Sequence, residues 1–350
     1  MASTYTETPD NYSEIKESVV ADIDEIKSVF FKAEKVLFYD ACSFQRHSNL
    51  RENEKSILIR YFENRGIAIF LTRCILMELS GDNHVLKRQF IEYINKLKNS
   101  GVSVVIFDEE YTYSILSDCF STIERVNEYL MWAVRMAKSP TSTITDTLKM
   151  NDKLNSEVVE GKNLKASDLY QRFFSAVRSN KEHEDNLGEE LISICAHILS
   201  YLPGVPDGKL CVLTDDKGAA SKIDSVMRRT NQEYRGSRII LFSTPKLIQH
   251  MFQEGVGLSE DEIVNLLSQG ISENIVIMGI TDYDFRVNDK IPISCRELAQ
   301  KIIEPNGIKI VFKISDRYKE LNNVLVAGTG QSAMIAPFFL HYYLSVDHAI

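Results

Sequence analysis

The sequence lacks the features that would send a chain into or across a membrane. It has no run of about 18 or more apolar residues, the length a helix needs to span a bilayer, so no membrane span is expected. The first thirty residues are polar and acidic, with neither a basic start nor an apolar core, so no secretory signal is expected. The six cysteines (Cys42, Cys74, Cys119, Cys195, Cys211 and Cys295) are scattered, and none forms a C-x-x-C pair. Most lie in apolar segments and read as reduced core residues of a cytoplasmic protein. There is no Ser-His-Asp or Cys-His pattern with usable spacing. The glycines of Ala327-Gly328-Thr329-Gly330-Gln331 lack the Lys-Ser/Thr that a phosphate-binding loop carries, so a loop or docking tail is expected there. No internal repeat or low-complexity tract occurs.

What remains is an ordinary globular composition. The 350 residues are 44% hydrophobic and 25% charged, enough for one large domain or two of common size. A formal charge of −9 argues against a protein that coats nucleic acid non-specifically, yet leaves room for a local basic surface.

Taken in order, the chain alternates helical and strand-like patterns. Ile15, Val19, Ile23, Ile26 and Phe30 recur at spacings of four and three, which predicts one helix from Asn11 to Lys35. Short apolar runs at residues 36–39, 67–71, 102–107, 210–213 and 238–242 predict strands. Helical patterns at 51–64, 73–80, 85–99, 122–138, 165–178, 188–202 and 218–229 fall between them. Such alternation predicts a mostly parallel sheet covered by helices, an α/β architecture. The region 110–186 reads as a helical insertion with a break at 139–143 and a mobile polar segment to Lys165. Lys181-Glu182-His183-Glu184-Asp185 reads as a solvated charge run. From Thr244 the pattern changes to two short helices, a strand at 275–280, a helix at 295–303 and a strand at 308–314. That suggests a small C-terminal α+β unit. The expected division is an N-terminal helix (1–35), a central domain (36–250) and the C-terminal unit (251–350).

Four acidic positions share one description. Asp40 ends the first strand, and Glu78 lies in the helix after the second. Glu189, with Glu190 beside it, opens a helix. Asp216, with Asp215 and Thr214, follows the fourth strand. Helix capping is a common task for Asp, and it is the plain alternative for Asp215 or Asp216. In a parallel sheet, however, the carboxyl ends of the strands are where ligands sit. Buried like charges repel, and carboxylates suit magnesium or manganese. Two such ions about 4 Å apart can activate water for phosphodiester hydrolysis.

In this order, these local sequences resemble the PIN-domain nucleases, metal-dependent ribonucleases with relatives among the flap endonucleases. Asp40 after Val36-Leu37-Phe38-Tyr39 is similar to the family's first aspartate, and Met77-Glu78-Leu79 to its "E-L" helix motif. Gly188-Glu189 is similar to the third motif, and Thr214-Asp215-Asp216 to the fourth, threonine-x-aspartate. The likeness covers roughly residues 34–245. The resemblance implies that Asp40, Glu78, Glu189 and Asp216 hold one or two magnesium or manganese ions, with Glu190 an alternative third acid and Asp215 an accessory or a cap. Thr214 would position a water or phosphate, and cleavage would leave a 5′-phosphate and a 3′-hydroxyl. Where the family often has a hydroxyl directly after the first aspartate, this chain has Ala41, and Ser43 is the nearest substitute.

A nuclease also needs a phosphate-binding surface. Residues 217–246 carry seven basic and two acidic side chains, a local +5. Lys217, Lys222, Arg228 and Arg229 are the candidates there, and Arg46, His47 and Arg73 flank the first two acids. The expected partner is RNA, or else DNA if the chain is of the flap-endonuclease type. The third expectation is an inactive PIN-like scaffold whose C-terminal unit binds a protein partner. The oligomeric state is left open, with a homo-oligomer among the options.

Overall fold

The computed structural model describes residues 8–137, 142–182, 185–216, 236–268, 273–280, 289–305 and 307–315, with Gly218 and Ile223 as isolated helical positions. The chain divides into two compact units. The first comprises residues 1–48, 62–214 and 218–241, and the second comprises 49–61, 215–217 and 242–350.

The first unit is built on a five-stranded parallel sheet of β1 (Lys35–Tyr39), β2 (Ile67–Thr72), β3 (Val104–Phe107), β4 (Leu210–Leu213) and β5 (Ile240–Phe242), in the order β3-β2-β1-β4-β5. The strands are short apolar runs, and every residue of β2, β3 and β4 is buried. Burial on both faces is what a sheet covered by helices requires. Phe38, Phe70 and Phe107 come from three adjacent strands, and their rings meet at centroid distances of 5.4–6.0 Å, within the range favoured by aromatic pairs. Each such ring, fully buried, contributes about 1.5–3 kcal/mol.

Strand order fixes where a ligand can sit. From β1 the chain steps outward to β2 and β3, then returns to the other side of β1 for β4. The crevice between the carboxyl ends of β1 and β4 is therefore the point where the winding reverses, the place where open parallel sheets take their ligands.

Helices supply the rest: α1 (Ile23–Lys32), α2 (Ala41–Ser48), α4 (Arg73–Ser80), α5 (Arg88–Asn99), α6 (Tyr111–Ser117), α7 (Ile123–Ala137), α8 (Thr143–Met150), α9 (Asp152–Val158), α10 (Leu169–Ser179) and α11 (Leu187–Leu199), while α3 (Glu52–Asn64) falls mostly in the second unit. The Thr72 hydroxyl accepts from the Ile75 N–H and starts α4 as a side-chain cap. Gly81, at φ +62°, ends it in a conformation that costs glycine little.

Three expectations need correction. The N-terminal stripe is not one helix: residues 12–18 form two 3-10 turns, Val20 bridges Val105 of β3, and Asp22 then caps α1. The bridge satisfies the outer edge of β3, which a continuous helix would leave bare. Residues 143–158 form α8 and α9, capped by the side chains of Ser142 and Asn151. Local capping outweighs the polarity that suggested a mobile segment. And Lys181, read as part of a solvated run, is buried. The expected helix at 218–229 lies, apart from two positions, outside the described residues, as do His183 and the Ala327–Gln331 loop.

In the second unit, β6 (Asn274–Ile280) is the centre of an antiparallel sheet ordered β7-β6-β8, with β7 at Asp289–Ser294 and β8 at Lys309–Ser315. With it are α12 (Thr244–Gln253), α13 (Glu260–Ser268) and α14 (Cys295–Ile303). The Gln249 amide donates to the Ile308 carbonyl at 2.6 Å and accepts from the Ile310 N–H at 2.8 Å, which ties α12 to the start of β8. Among the described residues no helix is long and apolar enough to cross a membrane.

Candidate functional site

Asp40 stands at the carboxyl end of β1 and is 2% exposed. Its position is set from both sides of the switch point. Its N–H donates to the Leu213 carbonyl of β4, and its Oδ2 accepts from the Thr214 hydroxyl at 2.7 Å. Its Oδ1 accepts from the Ala41 N–H, and Oδ2 also takes the Cys42 thiol at 2.8 Å. Ala41 follows Asp40 directly, and the side chains that donate to the Asp40 carboxylate are Cys42 and Thr214; Ser43, the expected substitute hydroxyl, is fully buried and its Oγ lies 3.9 Å from Cys42 Sγ. Behind Asp40 the Tyr39 hydroxyl and His47 Nδ1 are hydrogen-bonded in the core, so His47 faces inward rather than toward a phosphate.

Glu78 lies on the last full turn of α4. Burial pushes its carboxyl up, Lys181 pulls it back, and the charges of Asp40 and Asp185 raise it again, leaving it at about 6. Asp40 and Glu78 therefore feel one another as like charges. The Lys181 ammonium meets Glu78 Oε1 at 2.8 Å and Asp185 Oδ1 at 2.5 Å. Burial opposes the lysine's charge, but Glu78, Cys74 and Asp185 outweigh it and hold the ammonium well above the ordinary lysine range.

The backbone of α11 closes over Glu78. A Cβ at Gly188 would stand 2.8 Å from Glu78 Oε1 and 2.8 Å from Ile75 Cδ1, so glycine is what lets the helix approach the carboxylate. Glu189 is half-buried and Glu190 buried in the first turn of α11. His197, further along α11, is driven down to about 3 by burial alone, a neutral core residue.

Asp215 and Asp216 belong to the second unit. Asp215 Oδ1 accepts the Thr244 N–H at 2.8 Å and Oδ2 takes the Thr244 hydroxyl, so this carboxylate holds the amino end of α12. The cap expected of Asp215 is for the helix at 218–229, which lies mostly outside the described residues; the helix it holds is α12 instead. Asp216 is exposed.

Among the basic candidates, Arg46 is half-buried on α2. Arg73 is ion-paired to Asp108. Lys217, Lys222, Arg228 and Arg229 lie outside the described residues. Sequence reasoning missed a second ionic cluster. Arg178, 2% exposed, joins Asp108, Glu109 and Glu110 at the end of β3, at 3.2, 2.5 and 2.7 Å. Three consecutive acids directly after a strand were the available signal, the same one that marked Asp40.

In kind, the Asp40 and Glu78 carboxylates and the Thr214 hydroxyl suit a hard divalent cation. Gly188 leaves the Glu78 carboxylate room that a side chain would fill. In number the set is lean. Among the described residues no group of three or more His, Cys, Asp or Glu side chains is placed to hold a metal ion. Comparison of the chain with protein-family models, curated proteins and solved structures finds no match.

Proposed function

We propose that this chain is a PIN-like endoribonuclease that hydrolyses RNA phosphodiesters at the β1/β4 switch point. The observation that carries the reading is the pairing of Asp40 with Thr214 across that crevice, with Glu78 close enough for Asp40 to raise its carboxyl. Asp40 and Glu78 would hold a magnesium or manganese ion. When bound, such an ion supplies charge stabilisation and activates water for attack on phosphorus. Thr214 orients Asp40 through its hydroxyl, Cys42 does so from the α2 side, and Gly188 admits the Glu78 carboxylate. Arg46, on the helix that directly follows Asp40, is the candidate for a backbone phosphate.

A second reading has an observation of its own. Lys181 already supplies a positive charge to Glu78, and the first unit presents a lean donor set. Both suit a PIN-like scaffold that binds without cutting.

The test is incubation of labelled single-stranded RNA, single-stranded DNA and branched DNA with manganese, magnesium or EDTA, followed by analysis of the ends. Metal-dependent cutting of RNA that leaves 5′-phosphate ends supports the ribonuclease. Preference for DNA or for branches moves the assignment to a flap-endonuclease-like activity. No cutting of any substrate favours the scaffold.

A further inference from the structure

Lys181 does not behave as a surface lysine. Its side chain is 2% exposed, and a buried ammonium is stable only when its N–H groups find acceptors. Two acceptors are Glu78 Oε1 and Asp185 Oδ1. Asp185 is itself fixed by three other donors: the Thr143 hydroxyl at 2.7 Å, the Glu182 N–H at 2.9 Å and the Leu187 N–H at 3.1 Å. The Leu187 bond ties this cradle to the first turn of α11, whose next residue, Gly188, lies against the Glu78 carboxylate. The lysine is thus held by a built arrangement drawing on the start of α8, the segment before α11 and α11 itself.

An ammonium and a divalent ion seek the same oxygen of Glu78. We infer that Lys181 is the resident counter-cation of the acidic site, a positioning residue that competes with divalent ions for Glu78. The inference rests on the reading of Asp40 and Glu78 as a metal-binding pair. It follows that the intact chain carries fewer divalent ions than its carboxylates would otherwise draw, and that Glu78 accepts one fully only when Lys181 withdraws.

The experiment is a manganese titration of the full chain, read by calorimetry and by the electron paramagnetic resonance of free manganese, on wild type, Lys181→Met and Lys181→Arg. Neither readout depends on activity. Expected is an affinity at least about tenfold tighter, or one more ion per chain, for Lys181→Met, with Lys181→Arg unchanged from wild type. If Lys181→Met does not fold in EDTA, manganese should restore its melting transition while Lys181→Arg folds unaided; failure to restore it overturns the inference. Equal manganese binding by wild type and Lys181→Met overturns the inference and leaves the metal reading standing. No manganese binding by any of the three overturns both.

Discussion

Two ionic networks of the first unit differ in the cation at the centre. Arg178 takes three consecutive acids after β3, and a second guanidinium, Arg73, shares Asp108. Glu109 also accepts the Cys74 N–H. A planar guanidinium with five donors matches several carboxylates at once. In the second network a single ammonium faces Glu78 and Asp185, with Asp40 adding a further negative charge. There the acids outnumber the cation, and Glu78 is left protonating at about 6. The first network sets two guanidiniums against three carboxylates, whereas the second sets one ammonium against three, so the larger excess of negative charge lies in the second.

The largest expected effect falls on the Arg178 network. Arg178→Met should destabilise the protein by about 3–5 kcal/mol, because the fully buried Glu109 would lose its cation and Asp108 would keep only Arg73. Urea unfolding would measure it, and a loss below about 1 kcal/mol would mean that Arg178 is no more than a surface-type pair.

Next comes the Glu78 network, through pH. The folded carboxyl of Glu78 lies at about 6 against an ordinary 4.5. Below 4.5 the group is protonated in both states and costs nothing. As pH rises through 6, the folded state must carry a charge it disfavours, so stability falls by about 2 kcal/mol and then levels. In EDTA, subtracting the Glu78→Gln profile from the wild-type profile should expose that fall. A difference that stays flat between pH 4 and 7 contradicts it.

Gly188→Ala is the steric version of the same question. Its methyl meets Glu78 and Ile75, and overpacking of this kind costs about 1–3 kcal/mol. Thermal melting should show the loss, reduced when Glu78→Ala is combined with it; full additivity would place the clash elsewhere. The smallest effect belongs to an exposed pair. Arg88 and Glu92 are 2.8 Å apart on the outside of α5, with side chains 91% and 61% exposed. Arg88→Ala should change stability by less than about 0.5 kcal/mol, which calibrates the other three.

Legibility followed burial. The five strands of the parallel sheet are apolar runs because both of their faces are covered, so they stand out in the sequence. β7 did not, since Asp289, Lys290 and Pro292 interrupt its pattern, and a proline is tolerated there because β7 is an edge strand. Asp40 and Thr214 were legible as polar residues at strand ends, and the structure joins them. Lys181 and Asp185 were not, because a charge run is normally solvated. Their burial depends on Thr143, some forty residues away in the chain, and no local pattern carries that. Asp215 illustrates the remaining ambiguity: a strand-end aspartate that caps a helix has the same sequence signature as one that serves a site.

The most direct test of the central claim is cleavage of labelled single-stranded RNA in manganese by wild type and Asp40→Asn, with circular dichroism confirming both folds. The account predicts cutting by wild type that EDTA stops and that Asp40→Asn lowers by about two orders of magnitude or more, roughly 3 kcal/mol of lost transition-state stabilisation. Equal cutting by the two proteins would contradict it.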